Sequence, residues 1–305
     1  MIPAAAGTPQ NSGILIPVIY SGKMLKKFYE RTVVAAIANT EYEGEIKDKG
    51  DKVVIRTVPD IEVFDYVKNS QLSVQLPETG VIELEIDRAH YFNFLIDDID
   101  KFQSDLDFGE RWTADGAEKI KKRQDTVILG DIYADAASYN QGATAGKITA
   151  GFNLGTAGTP LALTKDNITD FIVDLGTVLD ETDTPDEERK LTLPAWATAL
   201  IKKSDLKDAS LAGDGTSILR NGRVGMVDRF EIFQSNLLSS VVDGANRAFN
   251  AIANHKQALT YAAQISKMET KPAESSFGYF TRTLMVYGYK VTNPDQLVHA
   301  YIRKG

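Results

Sequence analysis

The sequence predicts a fold that mixes strands with helices, and three observations predict it. Residues 82–87 alternate strictly, Ile82, Leu84 and Ile86 against Glu83, Glu85 and Asp87, the period of a half-buried strand. From Phe108 to about Ser138, Trp112, Ala117, Ile120, Val127, Ile128, Ile132 and Ala136 recur at helical spacing, the buried stripe of a long amphipathic helix. A glycine-rich stretch, Gly142 to Gly158, then separates two halves of the chain and is the natural domain boundary.

The remaining elements follow in order. Residues 1–20 are rich in Pro, Gly and Ala and read as an extended arm. Ser21 is placed as an N-cap, with Leu25, Phe28, Tyr29, Val33 and Ala36 on the apolar face of a helix closed by Asn39. From Glu41 to Ile86 the pattern is β-like and charged. Asp48-Lys49-Gly50-Asp51 is a turn, Val53, Val54, Ile55 and Val58 form a strand ended by Pro59, and Leu72, Val74 and Leu76 alternate with polar residues before a second turn at Pro77–Gly80. This stretch carries too few large apolar residues for a core of its own, and an isolated hairpin is marginal in water. It needs another surface to lie on. Beyond the glycine-rich stretch, a helix is expected from an N-cap at Thr164 to Leu179. A strand follows at Leu191 and Leu193, then a helix from Pro194 through Ile201. Gly213, Gly215 and Gly222 punctuate a loop, and Phe230, Ile232 and Phe233 open a strand. Gln257 to Ile265 is Ala-rich and reads as a helix. The last strands fall at Leu284–Tyr287 and at Leu297 and Val298, around Pro294.

Composition narrows the function. The chain has 305 residues, 43% hydrophobic and 25% charged, as in an ordinary globular protein, and a core of this size needs no disulfide or metal. There is no cysteine, which excludes disulfides and thiolate metal sites. The net charge of −8 comes with no evident basic patch, which argues against a tight grip on nucleic acid and leaves weak contact open. The N-terminus lacks a basic region and is broken by Pro3, Pro9 and Pro17, unlike a signal peptide. No apolar run approaches the ~20 residues of a membrane span.

Few residues suggest chemistry. His90, His255 and His299 stand far apart and none begins a ligand motif. Gly142 to Lys147 has too short a spacing for a phosphate loop, and Ile148 stands where Ser or Thr is required. Gly213-Asp214-Gly215 lacks the third glycine of a dinucleotide fingerprint. Asp97, Asp98 and Asp100 could face a hard cation, but they fit no EF-hand and are read as carboxylates near the start of the long helix, where its dipole favours them. The sequence therefore predicts no catalytic, cofactor-binding or metal-binding residues.

The chain resembles the major capsid proteins of tailed bacteriophages. Six segments carry the resemblance in the family's order: LKKFYERTVVAAIANTEYEGEIKDKGDKVVIRTVPDI, ELEIDRAHYFNFLIDDID, RKLTLPAWATALIKKSDL, GRVGMVDRFEIFQSNLL, NHKQALTYAAQISKMET and FGYFTRTLMVYGYKVTNPDQLV. The fifth resembles the family's Ala-rich helix. The resemblance implies an α+β Hong Kong-type capsid fold. Its parts would be an N-terminal arm (1–20), an N-terminal helix (21–40), an extended loop (41–90), a peripheral domain with a long spine helix (91–158 and 269–305) and an axial domain (159–268). It further implies self-assembly into pentamers and hexamers of an icosahedral shell around double-stranded DNA, with weak DNA contact, a portal partner and no membrane. Assembly would take place in the host cytoplasm and the product would be the virion capsid. With about twenty residues before the first helix, a separate scaffolding protein is expected. Lys68 and Asn69 lie on the loop, but no residue matches the catalytic acid that cross-links subunits in some members, so cross-linking is not expected. An encapsulin-like nanocompartment shell and, further off, a metal-dependent soluble enzyme are the alternatives.

Overall fold

The computed structural model describes residues 32–42, 52–59, 61–69, 71–97, 108–204, 225–274 and 277–305. A single helical turn, α1 (Val34–Ile37), precedes a hairpin of β1 (Lys52–Arg56) and β2 (Val81–Glu85). Next come β3 (Arg88–Asp97) and the long helix α2 (Phe108–Asp131). Strands and helices then alternate through β4 (Leu161–Leu163), α3 (Ile168–Asp180), β5 (Arg189–Leu193) and α4 (Ala195–Lys203). Five strands follow: β6 (Met226–Val227), β7 (Phe230–Gln234), β8 (Ser240–Asp243), β9 (Asn246–His255) and β10 (Leu259–Pro272). The chain closes with β11 (Gly278–Val291) and β12 (Leu297–Lys304).

The largest sheet is mixed and seven-stranded, in the order β4-β12-β9-β5-β7-β6 with β8 added on β9. Its centre is β5, parallel to β7 and antiparallel to β9. Leu191, Thr192 and Leu193 are all buried there, as a strand covered on both faces requires. Pro194 ends β5 and caps α4 with an extended ψ of 156°; a missing N–H is harmless at a helix start. In α3, Ile168, Phe171, Ile172, Leu175 and Leu179 share one face and are buried in the core of this sheet. Arg189 is buried with them. Its guanidinium donates to Asp180 Oδ1 at 2.8 Å and to the carbonyls of Thr184, Pro185 and Gly176, and Asp186 lies 3.1 Å away.

A second core joins α1 and the end of α2 to the three-stranded sheet β10-β11-β3. Val34, Ile37, Ile128, Leu129 and Ile132 pack there with Leu259, Tyr261 and Tyr287. α1 is too short to hold itself, and Asp125 of α2 supplies its cap: the carboxylate accepts the N–H groups of Val33 at 2.5 Å and Val34 at 3.2 Å. Burial pushes the Asp125 carboxyl above the usual carboxylate range, against the pull of those two bonds. Asp125→Ala strands two buried donors and is expected to cost roughly 2–4 kcal/mol in urea denaturation. Asp125→Asn keeps an acceptor and is expected to cost far less.

Several expectations need correction. Gln257 to Ile265 is not a helix. Lys256–Ala258 makes one 3-10 turn and the rest enters β10, which pairs with β11 from Leu259↔Val291 to Pro272↔Tyr279. Ladder pairing and the full burial of Ala262, opposite Gly288 in the register, outweigh the helical preference of alanine. Residues 71–80 form no strand. The helix expected from Thr164 starts at Ile168, because the Asn167 side chain accepts the Thr164 N–H at 2.7 Å and donates to the Ala162 carbonyl at 2.9 Å. The glycine-rich stretch is exposed over most of its length but anchored to the core at a few points. Ala145 and Leu154 are fully buried, Ala145 bridges to Phe152, and Tyr301 donates to the Leu154 carbonyl. Gly155 has φ +82°, and a Cβ there would sit 2.1 Å from the Tyr301 carbonyl oxygen. The expected division at residue 268 also differs from the sheets. β10 crosses it inside the three-stranded sheet, while β12, grouped with the peripheral part, joins the seven-stranded one. Strand pairing over long sequence separation decides this, and no local pattern carries it. The arm at 1–20, most of the helix at 21–40 and the loop around Gly213 to Gly222 lie outside the described residues.

Candidate assembly interface

The β1–β2 ladder runs from Lys52↔Glu85 to Arg56↔Val81, with Lys52 held between Glu83 at 2.6 Å and Glu85 at 2.8 Å. Beyond Arg56 the two chains stay together without a regular ladder. Thr57 N–H donates to the Gly80 carbonyl at 2.9 Å. Glu62 N–H donates to Gln75 Oε1 at 3.1 Å, and Gln75 Nε2 returns a bond to the Glu62 carbonyl at 2.7 Å. Residues 68–69 turn the chain, with Asn69 at φ 66°, a conformation asparagine tolerates better than most residues.

The arm so formed exposes its apolar residues. Val63 is 95% accessible, Val58 92%, Leu76 89% and Val74 86%, and Ile61, Phe64, Tyr66 and Leu72 are exposed beside them. In the hairpin strands only Leu84 is fully buried. A concentration of apolar side chains this open to water marks a surface made to be covered. The sequence pattern singled out Val58, Leu72, Val74 and Leu76. It missed Ile61, Val63, Phe64 and Tyr66, whose signal was an apolar run, IEVFDYV, with no core to enter.

At the arm's root, only Ile86 and Asp87 separate β2 from β3. Arg88 donates to Asp131 Oδ2 at 3.2 Å and lies 4.5 Å over the Tyr289 ring. The Tyr289 hydroxyl donates to the same Asp131 oxygen at 2.6 Å. His90 Nε2 stands 3.0 Å from the Tyr287 hydroxyl.

The architecture has known counterparts over most of the chain. A structure from Mycobacterium phage Che8 superposes with TM-score 0.73 at 29% identity, covering 93% of this chain and 96% of that one. The capsid structure of cyanophage P-SCSP1u superposes with TM-score 0.73 at 18% identity, covering 95% and 94%. The chain has the Hong Kong-type fold of tailed-phage major capsid proteins. The capsid of a native GTA particle shares this capsid fold over 96% of both chains, with TM-score 0.62 at 12% identity. No protein-family model matches the chain, and no curated protein matches it.

Within the capsid fold the residues weighed for chemistry stay apart. Asp97 ends β3 opposite Gly278, and Asp98 and Asp100 lie outside the described residues. Among the described residues no cluster of three or more His, Cys, Asp or Glu could hold a metal, and no helix is long and apolar enough to cross a membrane. The histidines serve the fold. Burial pushes all three below the ordinary histidine value, His299 to about 4. His255 Nδ1 accepts the Gln257 N–H at 3.2 Å, which requires a neutral ring, and His299 packs 4.9 Å from the Tyr133 ring.

A depressed histidine leaves the unfolded chain as the better proton acceptor. The stability this gives is full above the ordinary value of 6.5 and is lost as pH falls toward about 4. For His299 the expected loss between pH 7 and pH 5 is about 2 kcal/mol. Urea denaturation at the two pH values should show it, and His299→Gln should flatten the dependence. Equal pH dependence in parent and variant would contradict it.

Proposed function

We propose that this chain is a major capsid protein that assembles with copies of itself into a shell, in the manner of the phage and GTA capsids it resembles. The observation that carries the proposal is the apolar arm at residues 57–80, left uncovered by its own subunit in a chain that matches capsid structures over nearly its full length. The arm binds a neighbouring copy, and many such contacts add by multivalency. In the finer reading, pentamers and hexamers close an icosahedral shell around double-stranded DNA, with scaffolding and portal proteins as partners and assembly in the host cytoplasm. Under this reading α2 is the spine helix and the seven-stranded sheet with α3 and α4 forms the axial domain. The net charge of −8 lets DNA pack against the wall without being gripped. The role is structural and not enzymatic. The named relatives, phage and GTA particles, favour this over a cargo-enclosing nanocompartment.

The test is to purify the chain, alone and co-expressed with its scaffolding protein, and to measure mass by sedimentation and shape by negative-stain electron microscopy. Megadalton closed shells are expected. Small oligomers under all conditions would overturn the reading.

A further inference from the structure

We propose that Gly288 and the Arg88–Asp131–Tyr289 cluster set the angle at which the apolar arm leaves the subunit. The inference rests on the arm being the assembly contact. The arm's root crosses β11 at Gly288, backbone against backbone. A Cβ on Gly288 would lie 2.1 Å from the Glu85 carbonyl oxygen, 3.0 Å from its carbon and 3.1 Å from Ile86 Cα. Gly288 is not among the positive-φ glycines, so its backbone conformation is open to any residue and space alone demands glycine. A side chain here can be accommodated only by lifting Glu85 and Ile86 off β11.

Beside the crossing, three elements are tied at one carboxylate. Asp131 at the end of α2 accepts from Arg88 of β3 and from Tyr289 of β11, and Arg88 stacks on Tyr289. Together, glycine sets how close the root approaches and the cluster sets its direction. The leverage is large. From Glu85 to the turn at Asn69 is 16 residues, a reach of at most roughly 50 Å at ~3.3 Å per residue. A change of about 10° at the root would move the tip by roughly 9 Å, enough to carry Val63 and Val74 off any fixed surface.

The chain has no cysteine, so Lys68→Cys at the tip and Lys119→Cys on α2 provide the two sites for spin labels. Electron–electron resonance on unassembled subunits should give one narrow distance in the otherwise unchanged chain. Gly288→Ala should shift that distance by several ångström and Arg88→Ala should broaden it, with melting temperatures near the parent's. Both variants should lose about tenfold in shell yield or form irregular particles. Unchanged distances in the folded variants would overturn the proposal, as would normal shells from variants whose distances have moved. If Gly288→Ala does not fold, Arg88→Ala decides alone. A parent that shows the narrow distance but never forms shells would refute the proposed function and leave the distance readout to judge the angle.

Discussion

Deleting residues 60–75 is expected to yield a folded subunit that no longer forms shells. The deletion removes the exposed apolar residues Ile61, Val63, Phe64, Tyr66, Leu72 and Val74 and the Glu62–Gln75 pair. It touches no member of either buried core. Removal of surface groups of this kind changes subunit stability by little, within about 1 kcal/mol. Assembly should respond out of proportion, because each arm contributes one contact per subunit and a shell multiplies that contact by the number of its subunits. Sedimentation should find soluble subunits, and circular dichroism should find the parent's melting temperature to within a few degrees. Val63→Asp with Leu76→Asp should reproduce the defect without shortening the chain. Normal particles from either form would remove the arm from the assembly contact.

Replacing Arg189 should have the largest effect on the subunit itself. Its side chain has no exposed surface and satisfies Asp180 and three carbonyls, with Arg229 bracing Asp180 from the other side at 2.7 Å. The surroundings hold the Asp180 carboxyl below the usual carboxylate range: burial alone would raise it, and the bonds from Arg229 and Arg189 outweigh that. Arg189→Met fills the volume but leaves buried acceptors without donors, an expected cost of about 3–5 kcal/mol. At roughly 2–4 °C per kcal/mol, the melting temperature should fall by about 10 °C. Arg189→Lys should recover only part of this, since an ammonium cannot reach carbonyls and a carboxylate in the planar fork of a guanidinium. A loss below about 1 kcal/mol in Arg189→Met would show that these bonds are replaceable by water.

Much of the fold was legible as pattern. The alternation at 82–86 became β2, the helix expected over 108–138 became α2 but ends at Asp131 and leaves Trp112 and Ala117 of its expected stripe exposed, and Leu191, Leu193 and Pro194 marked the end of β5 and the start of α4 where the structure has them. The strands at Phe230 and at Leu284 and Leu297 also stand. The error at Gln257 to Ile265 has a specific cause. Ala258, Ala262 and Ala263 are good helix formers, but Ala258 and Ala263 lie in or against the packed layer that holds α1 and the end of α2, and Ala262 is fully buried in the strand ladder. The exposed arm was half legible. Its lack of a core could be read, but the full set of open side chains could not, because exposure depends on what the rest of the chain declines to cover.

Residue order thus specified what depends on near neighbours. Strand and helix periods, turn residues and the proline start of α4 follow from contacts within a few residues. Tertiary structure decided what depends on distant ones. The burial of Arg189, the capping of α1 by Asp125 across more than ninety residues, the assignment of β10 and β12 to different sheets and the close crossing at Gly288 all arise between segments far apart in the chain. Their physical reason is shared: a buried donor, acceptor or backbone must find its partner wherever the packed chain brings one, and local sequence does not encode where that is.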